Sequence, residues 1–210
     1  MEGKGLLTVI SGFSGAGKGT LVKRLISDYD NYALSVSMTT RAPRAGEENG
    51  VHYFFIDKEE FERHIEAGDL LEYARYVDNY YGTPKSYVEK MLGEGKDVIL
   101  EIEIQGALKV KELMPEALLL FVTPPSAYEL KSRLVGRGTE TEEVINKRIA
   151  RAGEESQGVE NYEYIIINDD LDQCVTKTHE IIQNAKFSPI RKEAFIEKIR
   201  KELADMSKGE

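Results

Sequence analysis

The sequence predicts an α/β fold, a parallel sheet held between two layers of helices. Three observations predict it. Apolar runs at residues 6–10, 97–102, 117–122 and 164–167 alternate with stretches of helical periodicity, the order that builds parallel strands joined by crossover helices. The first run passes directly into a glycine-rich loop, GFSGAGKGT at 12–20, and then into an amphipathic segment. The length, 210 residues, suits one α/β domain with insertions or at most two small domains.

The elements follow in order. LLTVI (6–10) is a short buried strand, and GTLVKRLISDY places Leu21, Val22, Leu25 and Ile26 on one helical face. YALSVSMTT (32–40) reads as a second strand, broken by the turn-forming RAPRAGEENG. HYFFI (52–56) is a strand; Asp57 then caps the helix KEEFERHIEAG, which Gly68 closes. LLEYARYV (70–77) is another strand, and DNYYG after it is turn-like. In TPKSYVEKML, Thr83 is the expected cap and Pro84 the first helical residue. DVILEIEIQG (97–106) reads as a central strand with Glu101 and Glu103 on one face. ALLLFVT (117–123) is apolar throughout, as a strand covered on both faces should be. SAYELKSRLV is helical, GRGTETEEV is a loop with a cap at Thr139 or Thr141, and NKRIARAGEE is a charged helix. YIIIN (164–168) is the last strand and LDQCVTKTHEIIQNA a helix. SPIRKEAFIEKIRKELADM repeats the serine cap with proline first and makes a charged amphipathic tail helix. The strand-rich stretch 38–90 breaks the alternation and reads as an inserted lobe, and 125–157 as a mobile lid. The core is then 1–37, 91–124 and 158–210.

Composition sets the class of partner. The net charge is −9, which makes a poor general nucleic-acid binder, and the basic residues cluster only in two short segments. The single cysteine, Cys174, excludes an intrachain disulfide and fits a reducing compartment; it is expected on a helix with no special role. The N-terminal apolar stretch is too short for a signal peptide, and no window nears the roughly 20 apolar residues of a membrane span. The expectation is a soluble cytoplasmic protein without nucleic-acid or membrane partners.

The glycine loop carries the first chemistry. A loop that leaves a strand and ends at a helix N-terminus aims backbone N–H groups and a partial positive charge at an anion. Gly12, Phe13, Ser14, Gly15, Ala16, Gly17, Lys18, Gly19 and Thr20 form it, and Lys18 is placed to reach the β- and γ-phosphates of a nucleoside triphosphate. The usual pattern has Ser or Thr directly after the lysine; here Gly19 stands there and the hydroxyl comes at Thr20. The string GAGKGT resembles the loop of nucleoside-monophosphate kinases. Further along, Arg41 and Arg44 in TTRAPR are spaced to fork onto a phosphate, with Tyr53 and Tyr81 as hydroxyl donors.

Two longer segments make the resemblance specific. SVSMTTRAPRAGEENGVHYFF with LLEYARYVDNYYGTPK, and LVGRGTETEEVINKRIARA, join the glycine loop and LEIEIQGA. Over residues from about 5 to about 185 the chain resembles the bacterial guanylate kinases. That resemblance implies a P-loop NTPase core of three α/β/α layers with a parallel sheet, an inserted GMP-binding lobe and a mobile lid. It also implies magnesium-dependent transfer of the ATP γ-phosphate to GMP. Glu72 would accept from guanine N1–H and N2–H₂, with Ser37 and Thr83 supplying hydroxyls. Glu103, a position often Asp in the family, and Gln105 would lie near the GMP. Thr20 and Glu101 would serve magnesium, directly or through water. Arg137 and Arg148 would approach the triphosphate, Arg137 also being a candidate to stack on adenine, and Asn168 and Asp169 would lie on the adenine side. The catalytic set is then Lys18, Arg41, Arg137 and Arg148, with Arg133 a third arginine of the lid. Phe13, where proline is frequent, and Met38, where a small polar residue is frequent, are departures assigned to packing. Two alternatives stand beside this: a kinase of another small acceptor, and a non-catalytic guanylate-kinase-like binding module, whose phosphate loop is typically eroded. Monomer and homo-oligomer both fit the sequence.

Overall fold

A computed structural model describes residues 4–76, 78–136, 138 and 141–207. β1 (Leu7–Gly12) leads through the glycine loop into α1 (Lys18–Asp28), which buries Leu21, Val22 and Leu25. The strand predicted over 32–40 is two strands in different sheets, β2 (Tyr32–Leu34) and β3 (Met38–Thr39). The chain leaves the core after Ser35, whose N–H still bonds Ile99; two residues on, the Ser37 carbonyl accepts from Phe54. β4 (Phe54–Phe55) is short. α2 (Lys58–Ala67) is capped by Asp57, which accepts from the Glu60 N–H, and ends at Gly68 with φ 70°.

β5 (Leu70–Tyr76) and β6 (Asn79–Pro84) form an antiparallel hairpin. The turn-like DNYYG is therefore mostly strand: Asn79 already pairs with Tyr76, and Tyr80 and Tyr81 continue the ladder. Thr83 lies within β6 and points its hydroxyl at Glu72 instead of capping, and Pro84 is the residue before α3 (Lys85–Gly93). β7 (Asp97–Glu101) stops short of the predicted end at residue 106. The Ile102 carbonyl accepts from Ser11 Oγ at 2.7 Å, and Glu103 is already the N-cap residue of α4 (Ile104–Leu113). Glu101 and Glu103 are thus not on one strand face. The alternation of LEIEI carries on past the real strand end, which hides the change of period.

β8 (Leu118–Thr123) precedes α5 (Ala127–Gly136) and α6 (Glu142–Glu155). Thr141 caps α6; Thr139 lies outside the described residues. β9 (Tyr164–Ile167) and α7 (Leu171–Ala185) complete the core, and Cys174 is a buried residue of α7. The tail is not one helix. Pro189–Arg191 makes a single 3-10 turn before α8 (Glu193–Ser207), because Arg191 is tied to Glu116 O, Ser188 Oγ and Glu163 Oε1.

The core sheet is parallel, in the order β2-β7-β1-β8-β9, with two apolar layers. One layer packs Leu21 and Leu25 of α1 with Ile182 of α7; the other packs Val88 and Leu92 of α3 with Val110 of α4. The second sheet, β4-β3-β6-β5, carries residues of the inserted stretch, and Leu71 of β5 packs with Ala107 of α4.

At the sheet end opposite the glycine loop, the fully buried Asp97 carboxylate ties four segments together. It accepts from the Leu6 N–H (2.8 Å), Asn31 Nδ2 (2.7 Å), Gln183 Nε2 (3.0 Å) and Lys186 Nζ (2.6 Å). Asp97→Ala leaves these donors facing a cavity and is expected to cost about 3 kcal/mol. Circular dichroism melting should then show Tm lower by roughly 6–12 °C for a chain of this size.

Candidate active site

The site lies at the carboxyl ends of β1 and β7, where ligands of open parallel sheets gather. Gly17, with φ 89°, is the N-cap of α1 and offers no side-chain cap, so the first-turn N–H groups face outward for an anion. The loop is braced from below. Asn168, buried just past the end of β9, donates from Nδ2 to the Ala16 carbonyl at 2.8 Å. A Cβ on Gly17 would collide with that amide. Asn168, expected on the adenine side, thus reaches the glycine loop through its amide, and Asp169 beside it is exposed.

Lys18 Nζ donates to the carbonyls of Gly12 (2.6 Å) and Phe13 (3.1 Å), which holds the ammonium in the bowl of the loop. Phe13 packs edge-on against Phe121, ring centroids 4.9 Å apart. Ser14 accepts from Arg148 Nη1 at 2.8 Å, bringing α6 onto the loop. Thr20 is exposed in the first turn of α1. The Glu101 carboxylate lies over the same turn: a Cβ on Gly19 would sit 3.7 Å from it. Burial pushes the Glu101 carboxyl up, and the charges of Lys18 and Lys23 oppose that.

The second group of predicted residues meets in the inserted sheet. Glu72 is 9% exposed and accepts the Thr83 hydroxyl at 2.7 Å. Gly106 lets the first turn of α4 approach it; a Cβ there would stand 3.1 Å from Glu72 Oε2. Burial drives the Glu72 carboxyl above the usual carboxylate range, against the pull of Thr83 and Lys109, and the Glu103 charge adds to the rise. Tyr53 and Tyr81 stand with ring centroids 6.1 Å apart, and the Arg41 guanidinium lies 5.5 Å from the Tyr53 centroid. Ser37 is half-buried just before β3, and Arg44 is exposed.

Glu103 and Gln105 are both exposed at the start of α4. Glu103 pairs with Arg151 of α6 at 2.7 Å, so the carboxylate assigned to the acceptor is spanned by a helix of the predicted lid. Two cavities of about 660 and 410 Å³ meet there, sharing Glu103, Ile104, Arg151 and Glu155; Gly12, Ser14, Lys18 and Arg148 line the smaller. Arg133 pairs within α5 with Glu129 at 2.8 Å. Arg137 lies outside the described residues. Sequence reasoning missed Arg151, although its spacing of three from Arg148 sets both on one side of a helix. It also missed Glu47, which sits in the quoted RAGEENG and accepts from Arg41.

A glycine loop at the end of a parallel sheet, with a second sheet beside which Arg41 and two tyrosines gather and which holds one buried carboxylate, suits a kinase whose acceptor is itself a nucleotide. That class is the nucleoside-monophosphate kinases. Comparison with known proteins narrows it. The family model described as guanylate kinase matches residues 4–185, and the chain belongs to the guanylate kinase family. It is 52% identical over 201 residues to the guanylate kinase of Clostridioides difficile (strain 630), covering 95% of this chain and 98% of that one. It is 53% identical over 199 residues to that of Caldanaerobacter subterraneus subsp. tengcongensis, covering 95% and 97%. The crystal structure of guanylate kinase from Anaplasma phagocytophilum superposes with a TM-score of 0.70 at 31% identity, covering 91% of each chain. The tail beyond residue 185 lies outside the family match, while the match to these bacterial relatives covers 95% of the chain and so takes in more than half of that tail.

Proposed function

We infer that the chain transfers the γ-phosphate of ATP to GMP, giving ADP and GDP. The observation that carries the guanine assignment is the buried Glu72–Thr83 pair. A carboxylate accepts from both N1–H and N2–H₂ of guanine, whereas adenine presents a lone pair at N1 and would face that charge unpaired.

In this reading the loop N–H groups and Lys18 hold the ATP phosphates. Arg41, Arg44, Tyr53 and Tyr81 hold the GMP phosphate, and Ser37 joins Glu72 and Thr83 at the base. A GMP phosphate oxygen attacks the γ-phosphorus in line, the bond to the β–γ bridging oxygen breaks, and ADP leaves with that electron pair. No protein nucleophile is required. Lys18, Arg41, Arg137 and Arg148 stabilise the charge spread over the transferring group. The segment 38–90 is the GMP-binding lobe, and 125–157 is a lid whose closing carries arginines in while expelling water. Magnesium fits the donor types present: Thr20 offers an exposed hydroxyl in the first turn of α1, the Glu101 carboxylate lies beside Gly19 of the same turn, and such ions take their other ligands from phosphate and water. When bound it neutralises charge on the β- and γ-oxygens. No described helix is long and apolar enough to cross a membrane, and we assign the protein to the cytoplasm, where its one cysteine stays reduced.

The test is a panel of acceptors with ATP and magnesium, read as initial rates of ADP release. GMP should exceed AMP, UMP and dTMP by about 10⁴-fold in kcat/KM, the scale set by leaving a buried polar group unpaired. Comparable rates with AMP would sink the guanine assignment.

A further inference from the structure

Glu47 is a carboxylate set among the cations of the phosphate-binding lobe, and no role above uses it. Its Oε1 accepts from Arg41 Nη2 at 2.8 Å, and its Oε2 accepts from the backbone N–H of Arg44 at 2.7 Å. The Glu47 N–H closes the same turn by donating to the Arg44 carbonyl at 3.0 Å. Gly46 supplies the positive φ, 85°, that a type II turn needs at its third residue. The other terminal nitrogen of Arg41 donates to the Ala42 carbonyl at 2.8 Å, and its guanidinium lies against the Tyr53 and Phe55 rings. The Arg41 and Glu47 side chains are 15% and 18% exposed, so this is a packed arrangement and not a loose surface pair. The Arg41 guanidinium pulls the Glu47 carboxyl down to about 2, keeping it ionised throughout the neutral range.

We propose that Glu47 is a positioning residue for the acceptor phosphate. It does not touch the substrate; it fixes the Arg41 guanidinium and the Arg44 backbone, so that both arginines meet the phosphate already placed. Arginine loses much rotamer freedom when it is held, and fixing it before the ligand arrives removes that cost from binding. A carboxylate in such a place could instead compete with the phosphate for Arg41. The Arg44 N–H argues against competition: it holds the other carboxylate oxygen at 2.7 Å, so Glu47 cannot give way to a phosphate at Arg41 without also leaving that donor. The proposal rests on the assignment of Arg41 to the GMP phosphate.

The test is steady-state kinetics on Glu47→Ala, Glu47→Gln, Arg41→Ala and the double variant. Glu47→Ala should raise KM for GMP about tenfold, the scale of one lost charge-assisted hydrogen bond, with KM for ATP changed less than about twofold. Glu47→Gln keeps an acceptor for Arg41 and should recover part of the loss. In the Arg41→Ala background, Glu47→Ala should add less than about twofold, because its partner is already gone. An unchanged KM for GMP in Glu47→Ala overturns the proposal, and so do additive losses in the double variant. A lowered KM overturns it in favour of competition. Loss in Arg41→Ala with none in Glu47→Ala refutes the role of Glu47 alone, whereas an Arg41→Ala variant with normal KM for GMP removes both this proposal and the phosphate assignment beneath it.

Discussion

Glu72→Gln is expected to lower kcat/KM for GMP by roughly 10³- to 10⁴-fold, with KM for ATP little changed. Glutamine keeps an oxygen for the Thr83 hydroxyl, so the side chain stays where it is. It then has no second acceptor for guanine, and its amide N–H₂ meets the N2–H₂ of the base donor to donor. The pH dependence carries a second signature. Burial holds the Glu72 carboxyl above its ordinary value. As pH falls through that raised value the carboxylate gains a proton, loses its charge and turns one acceptor into a donor. The kcat/KM for GMP should fall on the acid side at a pH above the ordinary glutamate value of about 4.3, since this parameter reports the free enzyme. In Glu72→Gln that limb should vanish. The sign for stability is opposite. A raised folded-state pKa means that the contribution of Glu72 is most favourable below the unfolded value and is lost as pH rises through the folded one. At neutral pH the ionised residue therefore works against the fold, and the glutamine variant should melt no lower than the parent. A lower melting temperature would mean that Glu72 serves structure and not the base.

Lys18→Ala is expected to reduce kcat by about 10³-fold or more, the scale of removing a preorganised cation from a charge that develops in the transition state. KM for GMP should move by less than about threefold, because Lys18 stands on the loop and the acceptor cluster on the second sheet. Full phosphoryl transfer in this variant, followed by coupled ADP release, would remove the loop from the active site.

The core sheet was legible because β1, β7 and β8 are apolar runs bounded by polar or glycine residues, and because the loop sits between a strand and a helix. The inserted sheet was harder. β6 begins with Asn79, Tyr80 and Tyr81, tyrosines that look like turn surface until β5 pairs with them. The end of β7 was misplaced because period-two alternation persists through Ile104, although Ser11 takes the Ile102 carbonyl out of the ladder. The same distinction holds at the site. Gly12 to Thr20 are contiguous, so their joint meaning can be read directly. Glu47, Arg151 and the brace of Asn168 on Ala16 acquire meaning from partners set by folding, the last across 152 residues of chain. For Asn168, only the folded chain shows that its amide meets the Ala16 carbonyl.

That brace has a consequence for where the molecule tolerates alteration. Edge strands and the turns that follow them are ordinarily the safest places to graft, extend or shorten a chain, since few contacts depend on them. β9 is the outermost strand of the core sheet, yet the residue that follows it, Asn168, donates its amide to the Ala16 carbonyl. The rim on that side is therefore wired to the chemistry at the centre. A fusion partner or affinity handle belongs instead on α8, which buries none of its residues.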